Sequence, residues 1–259
     1  MILQDIINII ESVAPLSYQE AWDNSGLQVG DRNAEIHAAL LTVDVTESIV
    51  DEAIEKHCDF IISHHPLLFR GLKQLTGSTP QERCVEKAIR NGIAIYSSHT
   101  SMDAYVHGVS GRIAEKLGIT DYKILCPSSQ DEQVGLGVIG EMPTPMKSED
   151  LVHHVQEVFG CSLRYVAACQ EEVKRIAICG GAGAEFVGQA IAQGADVYIT
   201  ADMKYHEMQA AYGQIGVIDL DHWTSEHFTR EIFKEILEAH IPVFIAETDA
   251  SPVQWMVKE

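Results

Sequence analysis

Apolar residues recur in two rhythms along this chain. In the first ten residues, Ile2/Leu3, Ile6/Ile7 and Ile10 form one stripe, the spacing of an amphipathic helix. Elsewhere they come in short continuous runs bounded by turn residues. Ala38–Asp44, Asp59–Ser63 and Ile93–Ser97 each predict a buried strand. Between them lie helical patterns over 47–56, with Thr46 as N-cap, and over 80–91, with Gly92 just past the end. A further helix is predicted near 106–117. Strands alternating with helices predict an α/β fold with mostly parallel sheets.

The second half repeats this plan. At an offset of 137, Ala53 and Asp59–Ser63 fall opposite Ala190 and Asp196–Thr200 without a gap, and His65 falls opposite Asp202. At an offset of 123, His99 and Asp103 fall opposite His222 and Glu226. Coincidence of strands together with the polar residues after them points to internal duplication. Residues 126–170 have a different character. They contain a Gly-interrupted strand from Val134 to Gly140, a turn at Pro143 and Pro145, a helix over 149–158 capped by Ser148, and a strand at 162–167. The expected division is therefore a first α/β half (1–125), a connecting β/α subdomain (126–170) and a second α/β half (171–259), the halves similar and interlocked.

Composition narrows the function. The chain has 259 residues, 46% of them hydrophobic, enough for a core without disulfides or structural metal. A formal charge of −20, with Lys and Arg scattered singly, repels phosphate backbones and disfavours nucleic-acid binding. No apolar run approaches the length of a membrane span. The N-terminus lacks the basic region and cleavage site of a signal peptide, so a cytoplasmic location is expected. The six cysteines form no C-x-x-C pair and read as buried, reduced thiols without a role.

Ligands of α/β folds gather at the carboxyl ends of strands. His64, His65, Asp103, Asp202, His222 and Glu226 all follow predicted strands. Pro66 keeps His65 extended. Neighbouring side chains of an extended segment point to opposite sides, so His64 and His65 suit one ion each. On a helical turn His222 and Glu226, four apart, converge on one point. A carboxylate can bridge two cations, which makes Glu226 the natural bridge, with Asp103 as a second charge. Nitrogen and oxygen donors of this kind suit two divalent ions per chain, drawn from zinc, iron, manganese, nickel and cobalt.

A second tier comprises His99, Asp202 and His206. His99 can be a ligand, an orienting group or a proton shuttle, and His206 a shuttle. Asp202 is an orienting residue beside the metals, or a simple helix cap. His153-His154, on a helix without nearby acids, reads as surface or packing. Asp23–Gly26 reads as a structural turn with Trp22 as its packed anchor. Gly180–Gly183 resembles a phosphate cradle but lacks a P-loop lysine, and a strand-to-helix turn explains it equally well.

Trp22-Asp-Asn-Ser-Gly-Leu-Gln-Val-Gly30, Ile62-Ser-His-His-Pro66, Ser98-His-Thr-Ser-Met-Asp103, Thr200-Ala-Asp-Met-Lys204 and His222-x-x-Ser-Glu226 together resemble the NIF-three-like family. Its members commonly carry the name GTP cyclohydrolase I type 2 homolog. The resemblance spans nearly the whole chain. It implies a two-domain α/β fold, a dinuclear metal centre and a ring-shaped homohexamer with its metal sites facing the cavity. It also implies His64, His65, Asp103, His222 and Glu226 as ligands, with the glutamate bridging. Two positions depart from the family pattern: Ala201 stands where glycine is usual, and Asp221 precedes His222 where glycine is common. The expected function is a metal-dependent hydrolase acting on a small polar substrate, a nucleotide or phosphoester. In the cyclohydrolase case water attacks C8 of a purine and formate leaves. The alternative is a non-catalytic protein that handles or delivers metal, or a regulatory scaffold.

Overall fold

The computed structural model of the protein describes residues 1–129, 131–249, 251–254 and 256. The chain runs through strands β1 (Gly26–Val29), β2 (Ala39–Thr42), β3 (Phe60–Ser63) and β4 (Ala94–Ser97). It continues through β5 (Tyr122–Pro127), β6 (Gly135–Lys147), β7 (Arg164–Val166), β8 (Glu172–Ala182), β9 (Val197–Ala201) and β10 (Gly216–Leu220), and ends with β11 (Val243–Ile245). Two compact units result: Met1–Met102 with Thr229–Ala250, and Asp103–Phe228 with Ser251–Glu259.

The first unit holds a five-stranded sheet in the order β1-β4-β3-β2-β11. Its pairings are parallel except for β1 against β4. Every residue of β2, β3 and β4 is buried. Parallel strands covered on both faces need such unbroken apolar runs, which is why these segments lack alternation. Helix Leu3–Val13 contributes Leu3, Ile6, Ile7 and Ile10 to the core, whereas Ile2 lies outside it as the N-cap residue. Thr46 caps the next helix, its Oγ1 accepting from Ile49 N at 3.3 Å. Leu40, Ile49, Ala53, Ile61 and Ile95 belong to one apolar cluster that fixes the strands in register.

The second unit holds a six-stranded sheet in the order β5-β6-β8-β9-β10-β7. Here β8, β9 and β10 run parallel, and antiparallel pairings flank them on either side. Tyr198, Ile139, Ala177 and Val217 pack in its core. Pro143 and Pro145 differ from expectation: they lie inside the long strand β6 rather than in a turn. The register of β6 against β8 shifts between Glu141 and Met146, so the prolines fall where no ladder donor is required. Ser148 also differs. It is the first residue of helix Ser148–Phe159, and its Oγ accepts from Ala168 N at 3.3 Å instead of capping.

Each unit thus contains three parallel strands placed side by side in sequence order, β2-β3-β4 and β8-β9-β10. The polar residues singled out in the sequence follow the ends of these strands.

Candidate metal centre

In the first unit, the parallel ladder runs just past β3. His64 N donates to Thr42 O at 3.2 Å and His65 N to Val43 O at 2.9 Å. The chain then bends at both histidines, so strict alternation stops and the two rings do not diverge. Their centroids lie 5.0 Å apart, and the His99 ring lies 5.3 Å from His64 and 5.4 Å from His65. One nitrogen from each of the three falls within 4.8 Å of the others, close enough to hold a metal ion. His64 is fully buried.

What orients these rings is consistent. His64 Nδ1 lies 3.1 Å from the Ser98 carbonyl, His65 Nδ1 lies 2.9 Å from Asp44 Oδ1, and His99 Nδ1 lies 2.8 Å from Asp23 Oδ1. An oxygen at Nδ1 fixes that nitrogen as the protonated one and turns Nε2 into the donor offered to a metal. Asp44 comes from the residues just after β2, and Asp23 from the segment before β1. The Asp23 side chain is fully buried. Burial alone would raise its pKa. Hydrogen bonds from His99, Thr100 and Ser25 outweigh that and hold the carboxyl well below its usual range.

In the second unit, Asp221 caps the turn His222–Glu226 through Oδ2, which accepts from Thr224 N at 3.2 Å. The residue that departs from the family pattern therefore has a structural task. His222 Nδ1 lies 2.8 Å from Asp202 Oδ2, and His222 Nε2 lies 3.0 Å from Glu226 Oε2. Imidazole and carboxylate converge as the four-residue spacing predicts. Asp202 follows β9 in a left-handed conformation, φ 57°, a region that Asp tolerates better than most residues.

Gly180 and Gly181 lie at the end of β8, where its register against β9 shifts, and Gly183 alone leads into the 3-10 turn Ala184–Phe186; Gly181 has a specific task. At φ 65° its absent Cβ would lie only 2.2 Å from Glu226 Oε1. Ser225 ties the two segments: its Oγ accepts from Gly181 N at 2.9 Å and donates to His222 O at 2.8 Å. Thr200 Oγ1 accepts from Gly183 N at 3.0 Å. Glu226 is almost fully buried, and Asp103 closes the single turn Thr100–Asp103. Both acids bear on the Cys179 thiol, whose pKa is pushed far up by burial and then by the charges of Asp103 and Glu226. That thiol stays protonated, which leaves the site an imidazole and carboxylate one.

His206 takes a different position from the others. It lies exposed on helix Tyr205–Ala211, its Nδ1 3.2 Å from Gln209 Oε1, while Asp202 turns to His222. The sequence reading also missed residues. Asp23 and Asp44 stand in segments that read as a turn and a strand, and Gly181 in one that reads as a phosphate cradle or a turn; none of the three reads as a partner of the histidines or of Glu226. For Asp44 the signal was available, since it follows a buried strand as His64 does. Trp22 is no packed anchor: 59% of it is exposed.

The donors fit divalent metal: in the first unit three imidazole nitrogens lie together, and in the second His222 Nε2 faces the Glu226 carboxylate. A family model for Duf34/NIF3 (NGG1p interacting factor 3) matches residues 1–252. The chain belongs to the Duf34/NIF3 family. Among its relatives is a GTP cyclohydrolase 1 type 2 homolog of Clostridium perfringens, 35% identical over 99% of this chain and 100% of that protein. Another is a NIF3 homolog of Schizosaccharomyces pombe, 31% identical over 96% of each chain. The crystal structure of Staphylococcus aureus protein SA1388 superposes with a TM-score of 0.90 at 27% identity, covering 99% of each chain. The Duf34/NIF3 assignment therefore accounts for the fold from end to end, and no helix among the described residues is long and apolar enough to cross a membrane.

Proposed function

We propose that this protein holds two divalent metal ions through His64, His65, Asp103, His222 and Glu226, with Glu226 bridging, and hydrolyses a nucleotide or phosphoester in the cytoplasm. The observation that carries this reading is the common anchoring of four histidines, each with Nδ1 held on an oxygen, which leaves Nε2 as the ring's donor to a metal. Such anchoring costs conformational freedom and serves a ring that must meet a metal in one pose. The ions are chosen from zinc, iron, manganese, nickel and cobalt. When bound, they polarise a carbonyl or phosphoryl group and acidify water.

The chain's own residues supply the rest. Asp44 and Asp202 hold His65 and His222 in the tautomer that ligation requires. His99, backed by the buried Asp23, presents Nε2 either as a further ligand or as the group that accepts a proton from water. His206, at the surface, exchanges protons with solvent. Following its family, the protein assembles into a ring-shaped hexamer, which light scattering would test as six times the chain mass.

The test is turnover of GTP and a panel of phosphoesters by protein loaded with each metal in turn, beside His65→Ala. Metal-dependent turnover lost in the variant supports the hydrolase. Fully metallated protein that turns over nothing removes it, and rapid reversible metal exchange then identifies a metal-handling protein.

A further inference from the structure

Trp22 and Phe69 are large aromatic side chains left 59% and 46% exposed, and neither has a task in the reading above. Their ring centroids are 5.9 Å apart, tilted by 58°. The Trp22 ring also meets the His99 ring edge-on, centroids 5.9 Å apart. The Trp22 ring is thus an exposed aromatic surface directly beside the histidine cluster.

Both rings are carried on segments whose neighbouring residues are anchored. Trp22 precedes Asp23, whose buried carboxylate is clamped by His99, Thr100 and Ser25. Phe69 follows Leu68, whose carbonyl accepts from Asn24 Nδ2 at 2.6 Å and whose N donates to Gln28 Oε1 at 3.1 Å. Side-chain hydrogen bonds therefore fasten the two ring-bearing segments to each other. Leu72 and Leu75, further along the same segment, are also exposed. What sets Trp22 apart is its contact with His99.

We propose that Trp22 and Phe69 form an aromatic platform that holds a planar heteroaromatic ring of the ligand, such as a nucleobase or pterin, beside the histidine cluster. This rests on the reading of that cluster as the reactive site, and it narrows the substrate class from any phosphoester to one bearing such a ring. Stacking on Trp tolerates any planar ring, so the platform sets class and position, while the polar groups around the metals set the reacting atom.

The experiment is calorimetric titration of the zinc-loaded full chain with guanosine, adenosine and 6-hydroxymethylpterin, with ribose 5-phosphate as the ring-free probe. At least one planar probe binds, and Trp22→Ala and Phe69→Ala each weaken it by about tenfold or more, the scale of one stacking contact. Trp22→Phe, which keeps a ring, stays within about threefold of the parent. Zinc content is measured on every variant; if Trp22→Ala loses zinc, Phe69→Ala and Trp22→Phe decide. The proposal is overturned if no planar probe binds, if ribose 5-phosphate binds as well as they do, or if the alanine variants bind unchanged. A change in oligomeric mass with unchanged binding also overturns it, and identifies the patch as a contact between copies. Because binding is read without turnover, a protein that binds these rings but hydrolyses nothing keeps the platform and loses the hydrolase.

Discussion

Asp202 Oδ2 sits 2.8 Å from His222 Nδ1, and the same imidazole meets Glu226 through Nε2. One carboxylate thus orients the ring that, in the proposed centre, would share a cation with another. Asp202→Asn, which can offer its carbonyl oxygen but no charge, is expected to weaken metal binding by about 10–100-fold, the usual effect of losing such a partner. Competition with a chromogenic chelator measures it. Asp44→Asn, acting on His65, should fall in the same range.

Gly181 tests the packing behind Glu226. In Gly181→Ala the new methyl meets Glu226 Oε1, and an L side chain is strained at φ 65°. The carboxylate must move, so bound metal should drop, and stability should fall by about 1–3 kcal/mol in denaturant titration. Gly188→Ala is the control. It lies in helix Val187–Ala192 with open space at its Cβ, and should stabilise by about 0.5–1 kcal/mol.

Strands β2, β3 and β4 and the first two helices were legible because each carries its own local signal: buried runs for the strands, a helical stripe at 3–10 and a Thr cap at 46. So were His222 and Glu226, since helical spacing fixes where both point. Asp23 was not legible, because its partner His99 is far away in sequence and a turn is sufficient reason for Asp-Asn-Ser-Gly. Gly181 was illegible for a similar reason: a missing Cβ has meaning only once its neighbour is known. His64 and His65 were misjudged in direction, since alternation holds only while the strand continues, and the chain bends at both. The pairing of β11 with β2 joins Val243–Ile245 to Ala39–Leu41, and no local pattern announces a partner so remote.

Acid sensitivity should depend on Glu52. Its buried side chain accepts from Thr248 Oγ1 at 2.6 Å and from the backbone N of Glu247 and Thr248. Burial would raise its pKa; these bonds and Lys56 pull it below the ordinary value instead. A carboxyl depressed in the folded state adds stability above its unfolded pKa of about 4.3, and that stability is lost as pH falls through the folded value. Glu52→Gln should therefore lower the melting temperature at pH 7 and flatten its decline below pH 4.5, followed by circular dichroism.

The thiols should react in order of burial. Cys169 is exposed, whereas Cys58 and Cys84 are buried with pKa values pushed up to about 11 by desolvation first. Native protein at pH 8 should lose Cys169 rapidly to a thiol reagent and retain Cys58, Cys84 and Cys179 until unfolded. Mass spectrometry of the labelled chain reads this directly.

Metal stoichiometry bears most directly on the proposed centre. Protein equilibrated with excess zinc and freed of loose ions should carry two ions per chain by plasma emission, and Glu226→Gln should carry fewer. One ion or none in the parent protein, or an unchanged two in Glu226→Gln, would contradict a centre bridged by Glu226.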